Sequence, residues 1–374
     1  MPGRPIGSTH ADCWGRSGMS RRPSSTRSTM RRPQCLSQFI PLSGIPGTIQ
    51  NGTMSEPVSH ERIRLGISAC LLGQQVRFDG GHKRDPFLVE SLGAFVEWVP
   101  VCPEVESGMG APRESMRLVL VSGEVRLLTN KSVQDQTASM HRYARRRVVE
   151  LADDELFGFV LKKDSPTCGL ERVKVYGTGG VPLKSGRGLF AEALVTRFPL
   201  LPVEEEGRLN DPRLRENFVE RIFAYRRLTD LFAPQWSMGD VVRFHTAHKL
   251  TLMAHRPVAY QALGRLVAAG KSIPRPEFKE RYSSEFMTAL SSMATPRRHA
   301  NVLQHMLGYF KQILDGESRA ELLALIKDYA EGRVPLVVPL TLFGHHIRRC
   351  GVPYLAGQVY LRPHPVELML RNHV

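Results

Sequence analysis

Three short stretches place cysteines where chemistry is possible: ISACLLG around Cys70, VPVCPE around Cys102 and LKKDSPTCG around Cys168. Each cysteine follows an apolar run that reads as a buried strand. Cys70 follows LGIS, Cys102 follows VPV, and Cys168 follows FGFVL through the turn KDSPT. In an open parallel sheet the carboxyl ends of the strands form the rim where ligands bind, so three thiols remote in sequence would converge there. One cysteine at one strand end is most often a small buried apolar residue, but three at equivalent places argue for shared chemistry. That chemistry is a metal or cluster site, a nucleophilic cysteine, or a redox pair. The chain has no Cys-x-x-Cys spacing, which weakens the redox pair and the ordinary zinc ribbon. Soft thiolates select zinc, copper(I) or iron and sulfur, and a set of three protein ligands leaves a position open for substrate. Zinc and a cluster both answer to such a set.

The elements that must hold these residues read as alternating short apolar runs and helical stretches, the signature of βαβ units and a parallel sheet. RLGISACLL, VEWVPVCPE, FGFVLKKDS and LLPVEE read as strands, and VRLLT as a short extra one. PFLVESLGAFVE (with Pro86 in its first turn), SVQDQTASMHRYARRRVVELAD and GLFAEALVTRFP read as helices. The character changes near residue 209, at EEEGRLNDPRL. Beyond it NFVERIFAYRRLTDLF, DVVRFHTAHKLTLMAH, AYQALGRLVAAG, SSEFMTALSSMA, RRHANVLQHMLGYFKQIL and RAELLALIKDYAEG carry apolar residues at helical spacing. Thr295 followed by Pro296 is a helix start, an N-cap and then Pro at the first helical position. The expectation is an α/β chain: a Rossmann-like parallel-sheet domain over residues 54–208, then a mostly α-helical domain over 209–374. Residues 1–53 are rich in Ser, Arg and Pro and lack an apolar face, so they read as a disordered leader. Two origins fit it: a start placed upstream of Met54, or an Arg- and Ser-rich transit peptide.

At 374 residues and 42% apolar composition the chain has the material for two globular domains. No apolar run reaches the roughly 18–20 residues of a membrane-spanning helix, and the richest, PLVVPLTLFG, contains two prolines. Cysteines at 13, 35, 70, 102, 168 and 350 are too sparse for a stapled secreted scaffold and suit a reducing cytoplasm. The net charge of +15 lies at the two ends: residues 1–53 carry seven Arg and one Asp, and residues 209–374 carry 23 basic and 14 acidic side chains. Such an excess favours encounter with polyanions.

In order along the chain, ISACLLGQQVRFDGGHKRD, VPVCPEVESGMGAPRE and LKKDSPTCG resemble the thiouracil desulfidase family over roughly residues 62–205. The resemblance implies a 4Fe-4S cluster held by three cysteines, here Cys70, Cys102 and Cys168, with one iron open to take sulfur from a thiolated nucleobase or nucleoside. An open iron is a Lewis acid for a thiocarbonyl sulfur, and water then replaces sulfur at carbon. That exchange needs a proton carrier, for which Glu104 is the candidate; its structural alternative is a helix-start carboxylate or a partner for Arg113. Ser165 is a candidate to bind substrate or activate water, or else an ordinary turn residue before Pro. Arg77, Asp79 and Arg113 are candidates for planar polar recognition of a base or phosphate, or for a salt bridge of Asp79 with either arginine that orders loops. Val76 stands where some relatives have a cysteine, and it is left out of the site.

From about residue 240, VVRFHTAHKLTLMAH, NVLQHMLGYFK, PLTLFGHHIRRC and LRPHPVELMLRNHV resemble a YbgA-like domain of unknown function that commonly occurs fused to a desulfidase-like domain. His245, His248 and His255 fall near one helix face, where they would bind metal with His345, His346 or Cys350, or simply pack. Arg297, Arg298, Arg348 and Arg349, with Tyr309 or Phe310 to stack a base, make RNA or DNA a candidate partner; the alternative is a solvated basic face over an aromatic core. The leading expectation is an iron-sulfur desulfidase. The competing one is a cluster- or zinc-bearing redox sensor or nucleic-acid-binding module without turnover.

Overall fold

The computed structural model describes residues 63–177 and 181–373. The leader expected over residues 1–53, with Cys13 and Cys35, lies outside the described residues.

β1 (Ile63–Ser68) is sequestered almost completely, with Leu65 and Ile67 inaccessible to solvent, as a strand covered on both faces must be. It pairs in parallel with β2 (Val96–Val101) on one side. Next along the chain come β3 (Met116–Val121) and β4 (Glu124–Thr129), a hairpin, and then α1 (Thr137–Asp153). β5 (Phe159–Leu161) pairs in parallel with the other side of β1. Then follow β6 (Val173–Tyr176), β7 (Pro182–Gly186), α2 (Leu189–Arg197) and β8 (Val203–Glu205), the last parallel to β5. The parallel sheet therefore runs β2-β1-β5-β8, and its order reverses at β1. This is the parallel α/β core expected from the alternating pattern.

A second sheet, β4-β3-β6-β7, was visible in the sequence only as VRLLT. Its edge strand β7, PLKSG, is largely exposed and shows no apolar alternation, so no periodic signal marks it. The helix expected over PFLVESLGAFVE is also irregular: Phe87–Ser91 is underwound to a wide turn and Leu92–Ala94 overwound to a tight one. At Gly93 a Cβ would stand 3.1 Å from the Leu88 carbonyl oxygen and 3.2 Å from the Trp98 indole nitrogen, so the chain is pressed close to the next strand.

The helical region comprises α3 (Pro212–Leu231), α4 (Met238–His255), α5 (Pro257–Ala268), α6 (Arg275–Ser291), α7 (Pro296–Gly308), α8 (Gly316–Ala330), α9 (Val337–Cys350) and the short α10 (Pro353–Ala356). Its starts are written locally. Asp211 caps α3 ahead of Pro212, Ser237 and Asp240 form a capping box on α4, and the Thr295 hydroxyl accepts from the Arg298 amide at 3.3 Å. α9 arises from the stretch whose two prolines disguise it; Pro339 falls in the first turn, where no intrahelical donor is needed.

Among the described residues both halves belong to one compact unit. The joint is α3: Phe218, Val219 and Ile222 pack on Leu65, Ile67 and Val160 of the parallel sheet, while Ala224 and Leu228 pack with Phe278, Tyr282 and Phe286 of α6. On the opposite sheet face, α1 and α2 contribute Met140, Tyr143 and Phe190 to a core with Phe159 and Leu161. Among the described residues no helix is long and apolar enough to cross a membrane.

Candidate active site at the carboxyl rim of the parallel sheet

Each of the three cysteines lies just beyond the carboxyl end of a strand of the parallel sheet. Cys70 sits in a helical turn, Ala69–Leu72, immediately after β1, and Gly73 closes that turn at a φ of 96°. Cys102 follows β2 directly, and Cys168 lies in the turn after β5. The ends of β1 and β5 are stitched together by the Lys162 amide, which donates to the Ser68 hydroxyl at 2.9 Å. These are adjacent strands at the point where sheet order reverses, the place where α/β sheets open a crevice.

The Cys168 turn is built by Ser165 and by α2. The Ser165 hydroxyl oxygen accepts from the amides of Thr167 (3.2 Å) and Cys168 (3.1 Å). The first amides of α2 find their acceptors in the same turn: Leu189 donates to the Pro166 carbonyl at 3.2 Å, and Phe190 and Ala191 donate to the Thr167 carbonyl at 3.0 and 3.1 Å. This close seat requires glycine at 188, where a Cβ would lie 2.4 Å from the Thr167 carbonyl.

Cys70 and Cys168 are buried and Cys102 is half-buried; among the described residues all are free thiols. Burial pushes the Cys70 thiol up to about 11, against the pull of Lys162, and the Cys168 thiol up to about 12, opposed in part by the neighbouring Thr167 and Ser68 hydroxyls. Burial raises Cys102 as well, opposed by the Val105 amide and Arg113. Such thiols ionise only when a cation takes up their charge. Arg113 is the cation built into the site: its side chain is 7% exposed, burial lowers its pKa, and Cys102, Cys168 and Cys70 all act electrostatically to raise it. All three thiols thus lie within electrostatic reach of one guanidinium.

Arg113 also answers the question of who partners whom. It forms an ion pair with Glu104, and its Nη1 donates to the carbonyls of Val76 (3.0 Å) and Gly110 (2.7 Å). The other Glu104 oxygen accepts from the Thr167 hydroxyl at 2.8 Å, and the Thr167 hydroxyl is 3.0 Å from that of Ser165. A hydroxyl has one proton, and the carboxylate is the stronger acceptor, so Ser165 donates to Thr167 and Thr167 to Glu104. Glu104 is held from two sides, between the Cys102 and Cys168 segments. Asp79, by contrast, pairs with Arg77 at 3.2 and 3.3 Å and accepts from the Gly81 amide at 3.0 Å, an exposed loop-ordering pair. Arg77 still acts electrostatically on Cys70.

Sequence reasoning passed over Thr167, Glu106 and Tyr143. Thr167 is fully buried. Glu106 accepts from the Cys102 amide at 2.7 Å with one oxygen and from the Tyr143 hydroxyl at 2.6 Å with the other. Its position four residues after Cys102, where a helical turn starts, was a usable local signal; Tyr143, on α1, had none.

Among the described residues no group of three or more His, Cys, Asp or Glu side chains stands close enough to hold a single metal ion. The α4 histidines are each engaged separately: His245 with the Tyr282 hydroxyl (3.2 Å), His248 with the Phe244 carbonyl (2.7 Å), and His255 with the Ser292 carbonyl (2.7 Å) and Glu220 (3.2 Å). They pack rather than converge. Phe310 is fully buried and unavailable to stack a base, correcting the expectation for that residue. Arg298 is spent on the His255 carbonyl at 2.6 Å, where it caps the end of α4.

The chain resembles known proteins in two separate segments. Residues 65–206 match the family model for 2-thiouracil desulfurase, and residues 249–365 match a protein family of unknown function, DUF1722. The uncharacterized protein YbgA of Escherichia coli (strain K12) is 32% identical over 165 residues, covering 44% of this chain and 98% of that protein. The uncharacterized protein YbbK of Bacillus subtilis (strain 168) is 26% identical over 109 residues, covering 28% of this chain and 71% of its own. A solved structure described as the [4Fe-4S]-dependent thiouracil desulfidase TudS is 31% identical, with a TM-score of 0.33, over 40% of this chain and 95% of its own. The chain belongs to the family of YbgA, with a 2-thiouracil desulfurase segment ahead of its DUF1722 segment.

Proposed function

We propose that this protein removes sulfur from a thiolated pyrimidine base or nucleoside, or a related thio-compound, replacing it by oxygen, with a 4Fe-4S cluster held by Cys70, Cys102 and Cys168. The observation that carries the reading is the Glu104–Arg113–Thr167 arrangement beside three free thiols at one sheet rim, in the segment that matches the 2-thiouracil desulfurase model. The donor set suits such a group: three thiols from separate strand ends, two buried and one half-buried, with no disulfide among them. When bound, the cluster would supply an open iron as Lewis acid for the substrate sulfur.

The remaining work falls to side chains. Glu104 takes the proton of the attacking water and returns one to the departing sulfur; each of its oxygens has a lone pair beyond those used by Arg113 and Thr167. Arg113 and Thr167 fix the carboxylate in place. Ser165 shapes the Cys168 turn and orients the Thr167 hydroxyl, a supporting part rather than direct activation of water. Arg77 keeps donors for the polar edge of a base while Asp79 holds it at the rim. A reducing compartment such as the cytoplasm suits free thiols with this role.

The test is anaerobic reconstitution followed by sulfide release from 2-thiouracil and from thiolated nucleosides, for the wild type and Glu104→Gln. Glu104→Gln should keep its iron and cluster absorption and lose ~10²- to 10⁴-fold in turnover, the usual contribution of a positioned acid-base group. Undiminished turnover removes Glu104 from the mechanism. A wild-type holoprotein that releases no sulfide from any of these substrates puts the redox-sensor reading ahead.

A further inference from the structure

The helical half contains a cavity of about 320 Å³, within the size range of small-molecule sites. Its lining comes from α3, α4, α7, α8, the loops just before α7 and just after α8, and the carboxyl-terminal tail, and no lining residue precedes Arg213. Arg213 and Glu331 stand exposed at its mouth, Ala294, Val334 and Leu336 form apolar wall, and Glu220, His255 and His299 are buried.

Glu220 is 4% exposed, and one of its carboxylate oxygens, Oε1, is buried without a hydrogen-bond partner. Leaving such an acceptor unmet is costly, so it is the sort of atom a ligand satisfies. The other oxygen lies 3.2 Å from His255 Nε2, while His255 Nδ1 lies 2.7 Å from the Ser292 carbonyl, an acceptor only. Both ring nitrogens therefore carry protons, and the Glu220–His255 pair is neutral as a whole. The nearby Glu216 is likewise balanced, by Arg371 at 2.9 Å and His373 at 3.0 Å.

His299 supplies the complementary group. Its Nδ1 lies 2.8 Å from the hydroxyl of Tyr360, which is 1% exposed and has no other acceptor among the described residues. The buried hydroxyl donates to Nδ1, so the imidazole proton sits on Nε2, and that N–H has no protein acceptor among the described residues. The Tyr329 ring stands edge-on to His299, centroids 6.2 Å apart, and lines the same cavity. The cavity thus offers an acceptor, a donor, an aromatic flank and apolar walls, with its buried carboxylates Glu216 and Glu220 already paired.

We propose that this cavity binds a small neutral ligand bearing an N–H beside a carbonyl, the lactam edge shared by ureides and pyrimidine bases. The ligand N–H meets Glu220 Oε1 and its carbonyl accepts from His299 Nε2. The inference does not rest on the desulfurisation reading, since none of the rim residues takes part.

Isothermal titration of the full chain with uracil and with hydantoin tests it, with 1,3-dimethyluracil, which has no N–H, as the control. Ala294→Phe fills the cavity from an apolar wall, His299→Phe removes the donor, and Cys168→Ser disables the rim. At least one of the two lactams should bind, at least tenfold more weakly to Ala294→Phe and His299→Phe, with Cys168→Ser retaining the affinity and 1,3-dimethyluracil not binding. If His299→Phe melts far below the wild type, Ala294→Phe decides alone. Failure of both lactams to bind, equal affinity in Ala294→Phe, loss in Cys168→Ser, or equal binding of 1,3-dimethyluracil overturns the proposal.

Discussion

Replacing Gly188 by alanine separates space from backbone conformation at the candidate active site. Gly188 has φ −66° and ψ 146°, an extended geometry that alanine adopts freely. Its added Cβ, however, would stand 2.4 Å from the Thr167 carbonyl carbon and oxygen and 2.8 Å from the Cys168 nitrogen. To reach ordinary contact the Cys168 turn and the start of α2 must part by about 1 Å, stretching the amide bonds of Leu189, Phe190 and Ala191 to that turn. Overpacking of this kind costs ~1–3 kcal/mol, against ~0.4–1 kcal/mol that alanine returns by stiffening the unfolded chain. The middle of both ranges leaves about 1.3 kcal/mol, which at ~2–4 °C per kcal/mol is a fall of roughly 3–5 °C in Tm. Differential scanning fluorimetry measures it, with Gly308→Ala as control, since nothing lies within 4 Å of a Cβ at Gly308. The same displacement should lower iron per chain after reconstitution and cut sulfide release by ~10²-fold, the effect of a 1 Å misplacement at a reacting centre. A Gly188→Ala protein with wild-type Tm and iron would refute the claim that the seat on α2 positions Cys168.

Cysteine-to-serine exchange at 70, 102 or 168 should each abolish full iron occupancy, whereas Cys350→Ser should bind iron normally; iron loss in Cys350→Ser would break the ligand assignment. Thr167→Val, nearly isosteric, deletes the buried hydroxyl that bonds Glu104 and should cost ~1.5–3 kcal/mol and lower kcat more than it raises KM. An unchanged Tm would mean that this bond is not formed in solution. Acid should also destabilise the helical half, because burial depresses His245 to about 4 and His248 and His299 to about 3. Below pH 6.5 the unfolded chain takes up protons that the folded one refuses, so stability falls as pH falls, by ~1.4 kcal/mol per unit for each histidine. His255 has the opposite sign: burial disfavours its charge but Glu220 overcomes this and raises it, so its contribution is fully present below pH 6.5. Burial depresses His346 and His364 as well, so five histidines stand against one: Tm should drop between pH 7 and 5, and a flat profile would contradict the reasoning.

The sequence alone located the parallel strands and the cysteine that follows each of three, because burial on both faces of β1 and β5 writes a continuous apolar run and burial on one face of β2 an interrupted one. It also marked the start of α7, since Thr295 and Pro296 act on the backbone beside them. The irregular Phe87–Ala94 segment and the edge strand β7 were beyond it, one deformed by packing against Trp98 and the other carrying no periodic pattern. Within the site, the residue types were legible but not their partners. Either Asp79 or Glu104 was chemically able to pair with Arg113, and only the folded chain shows Asp79 held by Arg77 while Glu104 meets Arg113 and Thr167. Thr167 lies 63 positions from Glu104 and Tyr143 lies 37 from Glu106, separations with no repeat to betray them. The helical cavity belongs to the same class: Glu220, His299 and Tyr360 come from three places in the chain, and an unmet carboxylate oxygen exists only once packing has removed water from it. Local structure follows from interactions a few residues apart, which a sequence displays directly; the choice among distant polar partners follows from which surfaces the core brings together, which it does not.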